Sequence, residues 1–97
     1  MSAATPVTIQ CEKCGVSLTL PEMAASDLDK ITSLVREDRH AEATTFLRDR
    51  FALSLAAAKA IEMHITRKPG ICVRCRAALT SRGQVTCHKC RSLNLNW

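Results

Sequence analysis

The spacing of the cysteines limits the possible folds of this chain more than any other feature. All six fall into Cys-x-x-Cys pairs, Cys11/Cys14, Cys72/Cys75 and Cys87/Cys90, and an eleven-residue spacer separates the last two pairs. A two-residue gap lets both sulfurs of a pair curl toward one ion in a tight knuckle, and tetrahedral Zn²⁺ readily takes four thiolates. Cys72, Cys75, Cys87 and Cys90 therefore make a complete ligand set for one structural zinc. The spacer suits a β-hairpin whose open end the metal would close: residues 77–79 lead out, Ser81-Arg82-Gly83 turn with glycine's backbone freedom, and residues 84–86 return. Beyond Cys90, Leu93, Leu95 and Trp97 alternate with Asn94 and Asn96, the period of a third short strand with one apolar face.

This last quarter of the chain, GICVRCRAALTSRGQVTCHKCRSLNLNW, resembles a zinc ribbon. The resemblance implies a metal whose four positions are all filled, and hence a structural role. The first pair lies in IQCEKCGVSLTL, where Gly15 suits the sharp turn away from a metal and Val16, Leu18 and Leu20 alternate as a short strand stopped by Pro21. It looks like an opening knuckle, but two sulfurs do not fill a tetrahedral site. The missing donors for Cys11 and Cys14 can come from a second copy of the chain, making a homodimer, from His40, His64 or His88, or from an exchange of partners with a later knuckle. His40 and His64 fall on helices far in sequence from any pair and read first as surface or packing residues, while His88 sits between two ligands and points outward. A thioredoxin-type dithiol is the rival for Cys11/Cys14, but that motif opens a helix in a βαβ context absent here.

Ninety-seven residues make one domain or two very small modules, a size at which metals or disulfides supplement a thin core. Disulfides need an oxidising compartment, and MSAATP at the start has neither the basic opening nor the apolar run of a secretory signal, so reduced, metal-bound cysteines in the cytoplasm are expected. No apolar run approaches the roughly 20 residues of a membrane span. The net charge of +5 is unevenly placed: residues 1–65 hold seven Lys/Arg against nine Asp/Glu, whereas residues 66–97 hold seven Lys/Arg and no acid. Even after the formal −2 of a zinc tetrathiolate the ribbon stays basic, which suits an anionic partner. Arg74, Arg76, Arg82, Lys89 and Arg91 are the candidate nucleic-acid contacts. Against stacking on bases, the ribbon's one aromatic, Trp97, ends an apolar strand and reads as packing.

Residues 24–66 contain no Gly or Pro and show helical spacing throughout. Ser26 is the expected cap of a first helix, with Asp27 and Asp29 in its opening turn, Leu28, Ile31, Leu34 and Val35 inward, and an end near Asp38 or Arg39. A second helix is expected over 40–50 with Ala43, Phe46 and Leu47 inward. A third starts from the N-cap Ser54, turns Leu55, Ala58, Ile61, Glu62 and Ile65 inward, and runs until Pro69-Gly70. The stretch AEATTFLRDRFALSLAAAKAIEMHI is similar to the helix-turn-helix in the C-terminal domain of the bacterial ribosomal stalk protein, through Ala43 with Leu47-Arg48, Leu53 and Leu55, and Ala58-Lys59 followed by Glu62. In place of that family's glycine-rich turn stand Phe51, Ala52 and Ser54. The resemblance implies a surface that contacts translation factors, with Arg48 and Lys59 as candidate partner-binding residues.

Nothing in the chain assembles a catalytic set: there is no Ser-His-Asp pattern, metalloprotease helix motif, phosphate-binding glycine loop or deaminase signature. The sequence thus predicts a non-enzymatic, small zinc-bound α+β protein. Its parts are an N-terminal tail and knuckle (1–21), a helical hairpin within a three-helix middle (22–68) and a C-terminal ribbon (69–97). One structural zinc is expected, and a second site at Cys11/Cys14. The helical hairpin would dock a protein partner; the alternative is nucleic-acid binding by the ribbon.

Overall fold

The computed structural model describes residues 7–97, and the expected N-terminal tail otherwise lies outside them. Val7 and Thr8, expected in that tail, are instead in strand β1 (Val7–Gln10), which pairs antiparallel with β2 (Ser17–Leu20) in the register Val7↔Leu20 to Gln10↔Ser17. Three helices follow, α1 (Ala25–Arg36), α2 (His40–Phe51) and α3 (Leu55–His64), and then a second antiparallel hairpin, β3 (Gly83–Thr86) with β4 (Leu93–Asn96). The result is a small α+β fold of three helices and two two-stranded sheets.

Each helix boundary has a local cause. Asp27, not Ser26, opens α1: it is the third helical residue, and its carboxylate accepts from the backbone N–H of Ala24, 3.1 Å away. At the other end Asp38 adopts a left-handed conformation (φ 63°). Arg39 N–H reaches Leu34 O at 2.8 Å and Asp38 N–H reaches Val35 O at 3.1 Å, the paired bonds of a Schellman stop. Ser54 caps α3 as expected, its hydroxyl accepting from Ala57 N–H at 3.1 Å. That helix ends at His64 rather than running on to Pro69-Gly70. Ile65 is extended and bridges Leu95, and Thr66 N–H donates to Leu95 O at 3.1 Å, so pairing with β4 outcompetes another helical turn.

One apolar cluster, from Cys11 and Leu18 through Ile31, Leu34, Leu47, Ala58 and Ile61 to Ile65, Leu93 and Leu95, forms the core. At its centre α3 packs on α2 and touches both β2 and β4. Polar pairs, two of them on a buried carboxylate, join the helices: His40 bonds the buried Glu62 of α3 at 2.5 Å and the exposed Asp38 at 2.7 Å, and the exposed Arg50 of α2 reaches the buried Asp27 of α1 at 3.2 Å. Leu55, expected inward, is 53% exposed, because no element of the described chain covers the first turn of α3 on that side.

The ribbon is built differently from the expected hairpin. Residues 77–79 do not pair with 84–86; the partner of β3 is β4, and residue 78 makes a single bridge, to Ile71. Every hairpin turns at a Cys-x-x-Cys pair: 11–14 joins β1 to β2, 72–75 joins the one-residue arms Ile71 and Ala78, and 87–90 joins β3 to β4. The expected one-sided strand is also buried on both faces, with Asn94 and Asn96 as enclosed as Leu93 and Leu95.

Candidate metal centre

The three cysteine pairs share one backbone geometry. In each, the first cysteine's C=O accepts from the N–H four residues on (Gly15, Arg76, Arg91; 2.8, 3.2 and 2.9 Å), and its N–H donates to the C=O five residues on (Val16, Ala77, Ser92; 2.9, 2.9 and 2.8 Å). The residue after the second cysteine is left-handed every time, Gly15 at φ 75° and Arg76 and Arg91 at 66°. An arginine there costs about 1–2 kcal/mol against a right-handed conformation, so the turn is imposed by its surroundings at two of three places.

Cys72, Cys75, Cys87 and Cys90 bring their sulfurs within 4.8 Å of one another. The Cys72–Cys90 and Cys75–Cys87 separations are 3.7 and 3.5 Å. A tetrahedral ion with metal–sulfur bonds of ~2.3 Å needs edges of about 3.8 Å, while a disulfide needs about 2.05 Å. The four thiols are therefore spaced for one tetrahedral ion and not as bridged pairs, and the set expected from spacing is the set brought together. Burial pushes the Cys72 thiol up, but the N–H groups of Cys75 and Arg74, the Asn94 amide and the Cys90 thiol outweigh it and bring it down to about 6. Backbone N–H donors from Cys90 and Lys89 likewise lower Cys87. Burial, together with the neighbouring sulfurs of Cys72, Cys75 and Cys87, pushes Cys90 up to about 11 despite the Ser92 N–H. A group with thiolates already favoured at some positions and crowded at others gains most from a cation at its centre.

Two residues that the sequence pattern assigned to an outer face hold this group in place. Asn94 is fully buried; its Oδ1 accepts from Val73 N–H at 2.8 Å and its Nδ2 donates to Cys72 Sγ at 3.4 Å. Asn96 Oδ1 accepts from Gly70 N–H at 2.8 Å and its Nδ2 donates to Ser81 O at 2.8 Å, tying the segment ahead of Cys72 and the middle of the spacer to β4. The only hint in the sequence was that both lie on the strand that follows the last ligand.

Cys11 and Cys14 do not exchange places with a later pair. Their neighbour is His64, the last residue of α3, and these three also have their donor atoms within 4.8 Å of one another. Cys14 Sγ lies 3.5 Å from His64 Nε2, against about 3.6 Å for a sulfur and a nitrogen on one tetrahedral ion. Burial pushes Cys11 up, but the Leu93 and Cys14 N–H groups, with Cys14 and His64 side chains, bring it down to about 6. His40 is engaged instead with Glu62 and Asp38, and His88 is exposed within its knuckle, as expected. Two groups of this chain can thus hold a metal ion.

The remaining candidates are dispersed. Arg48 and Lys59 are exposed on α2 and α3, and Arg74, Arg76, Arg82, Lys89 and Arg91 are all exposed. Arg91 is engaged by Glu12 of the first knuckle through contacts of 2.9–3.3 Å. Arg36 is held below its ordinary value by burial and by the charge of Arg82. Arg36 also donates to the Trp97 carbonyl at 2.6 Å, and the Trp97 side chain packs on the core. No helix among the described residues is long and apolar enough to cross a membrane.

Fold and sites together define a small α+β protein with two metal-competent cysteine groups. No family model, curated protein or solved structure matches the chain, so the likenesses to a zinc ribbon and to the stalk-protein hairpin stand on their motifs alone.

Proposed function

We propose that this chain is a non-enzymatic binding module of the cytoplasm, built on structural zinc and docking a protein partner on the outward side of α3. The observation that carries the proposal is a line of exposed residues at four-residue spacing, Leu55, Lys59 and Met63, whose apolar members are 53% and 59% exposed. Residues four apart lie one above the other on a helix, so two large apolar side chains flank one cation, a pattern suited to an amphipathic or acidic partner surface. The ion in the four-cysteine group is zinc, because a tetrahedral all-thiolate set selects it among common divalent ions, and with every position filled it braces the fold. The hairpin's likeness to the stalk-protein domain favours a partner from translation, with Arg48 as a second contact.

Nucleic-acid binding by the basic ribbon is supported less well. Glu12 already neutralises Arg91, and the lone aromatic, Trp97, is packed and not free to stack. The two functions separate in one comparison. Pull-downs from a translation extract with the wild-type chain, the α3 variant Leu55→Asp/Met63→Asp and the ribbon variant Arg74→Ala/Arg76→Ala should lose the same captured protein only in the α3 variant. Capture indifferent to the α3 variant refutes the docking face. Low-salt binding of mixed-sequence RNA or DNA, with a log-log salt slope near −0.7 to −0.9 per phosphate, would establish the ribbon as the working surface.

A further inference from the structure

The group at the first knuckle differs from the four-cysteine group in one chemical respect: it has three donors. Among the described residues no fourth His, Cys, Asp or Glu places a ligand atom within 4.8 Å of those of Cys11, Cys14 and His64. The three are nonetheless arranged as ligands. The Ala60 carbonyl lies 2.6 Å from His64 Nδ1 and can only accept, so the ring's proton is on Nδ1 and the lone pair of Nε2 faces Cys14. A backbone carbonyl fixing the tautomer in this way is the usual support of a metal-binding histidine. On the other side the Leu93 N–H donates to Cys11 Sγ at 3.3 Å, and the buried Ser92 hydroxyl stands 3.9 Å from the same sulfur. Cys11 and His64 are buried while Cys14 is exposed, so the group is walled on the protein side and open on the side of Cys14.

We propose that Cys11, Cys14 and His64 form a second zinc site with an open fourth position, occupied by water and exchangeable for a thiolate. Two thiolates and one neutral imidazole leave Zn²⁺ with no net formal charge, whereas four thiolates leave it at −2, so the second site retains the electrophilicity to take an anionic donor. Sulfur is the matching donor for a sulfur-rich, borderline-soft ion. The local field favours an anion: Glu12 is spent on Arg91, and the adjacent Lys13 adds a positive charge. General-base hydrolysis is a poorer fit. Glu62, the acid nearest in sequence to His64, is bonded to His40, and no carboxylate joins the group. In the exchange an incoming R–SH displaces the bound water; sulfur bonds to zinc as a thiolate, and the thiol proton leaves with solvent. No electron is transferred.

The proposal is independent of the docking face on α3, since metal content and ligand exchange are read without any partner. The full chain, reduced with a phosphine so that no thiol competes, is loaded anaerobically with Co²⁺ as a spectroscopic substitute. Two metal ions per chain are expected, falling to one in both Cys14→Ser and His64→Ala. Cys14 is exposed, so the first variant keeps the test valid should the second fail to fold. Titration with 2-mercaptoethanol should raise the sulfur-to-cobalt charge-transfer band to saturation at one thiol per chain, with one proton released, in the wild type and in neither variant. One metal per chain in the wild type overturns the site, as does a metal-refractory Cys11–Cys14 disulfide. Two metals with a thiol-insensitive band overturn the open position; a particle of twice the chain mass would then show that a second copy fills it.

Discussion

Asn94 offers the sharpest check on the proposed zinc site of the four-cysteine group. It is fully enclosed and makes three hydrogen bonds, from Val73 N–H at 2.8 Å, to Ser92 O at 3.2 Å and to Cys72 Sγ at 3.4 Å. Replacing it with alanine removes all three and leaves Val73 N–H and the Cys72 sulfur without that partner. An ordinary buried hydrogen bond contributes about 1 kcal/mol and one to a charged group about 1.5–3 kcal/mol, so with partial resolvation the loss is about 2–4 kcal/mol. For a domain of this size each kcal/mol is worth ~4–8 °C, so Asn94→Ala should lower the melting temperature of the zinc-loaded protein by roughly 8–32 °C. Removing a donor to a ligating sulfur should also weaken metal binding by about 10–100-fold. The assays are thermal unfolding by circular dichroism and zinc competition against a chromophoric chelator. Asn94→Asp separates the two contributions, since it keeps an acceptor for Val73 but turns a negative group toward Cys72; it should bind zinc more weakly than the alanine variant. An alanine variant that melts within about 3 °C of wild type and keeps its zinc affinity within about threefold refutes the clamp.

Acidification should release metal in a defined window. The Cys11 and Cys72 thiols are lowered from 9 to about 6 on folding, so their contribution is fully present above 9 and is lost as the pH falls through about 6; zinc release followed by chelator should have its midpoint at or below about 6, and a midpoint above 8 contradicts the donor geometry. Ala52, which closes α2 at φ 54°, carries the conformational cost that glycine avoids; Ala52→Gly should stabilise by roughly 0.5–1 kcal/mol, seen as a higher urea midpoint at unchanged slope, and an unchanged or lower midpoint contradicts it.

Much of the fold could be read in the sequence because local signals carried it. The α3 cap at Ser54, the inward positions Ile31, Leu34 and Val35 of α1 and Ala43 and Leu47 of α2, and the four-cysteine set each depend on residues close in the chain or on a fixed spacing, while Leu28 of α1 stays outside the core. The misses were decided at long range. His64, one of three histidines offered above as donors for Cys11 and Cys14, reads first in the sequence as a packing residue; it is fifty residues from Cys14, and its place beside that sulfur follows from the packing of α3 against β2. Asn94 and Asn96 were assigned to a solvated face because alternation predicts one, but the chain from 70 to 82 folds over that side of β4 and supplies amide and carbonyl partners. The strand partner of β3 was misjudged for a related reason: a knuckle is itself a hairpin turn, so residues 84–86 pair across the knuckle ahead of them and not across the Gly83 turn behind.

The shared turn also explains how so thin a chain closes. Each knuckle makes a Cys-x-x-Cys segment into a hairpin corner, and each holds a left-handed residue after its second cysteine, two of them arginines that would relax if the turn were free. One of those arginines, Arg91, is tied to Glu12 of the first knuckle, and Cys11 Sγ accepts from Leu93 N–H just beyond the third, so the first and third knuckles are joined directly. The end of α3 joins them again, with His64 at the first group while Ile65 and Thr66 pair with Leu95 of β4, the strand whose Asn94 bonds Cys72. Metal bound in one group would therefore order backbone that the other group needs, and the two sites are expected to fill as linked steps of one folding reaction.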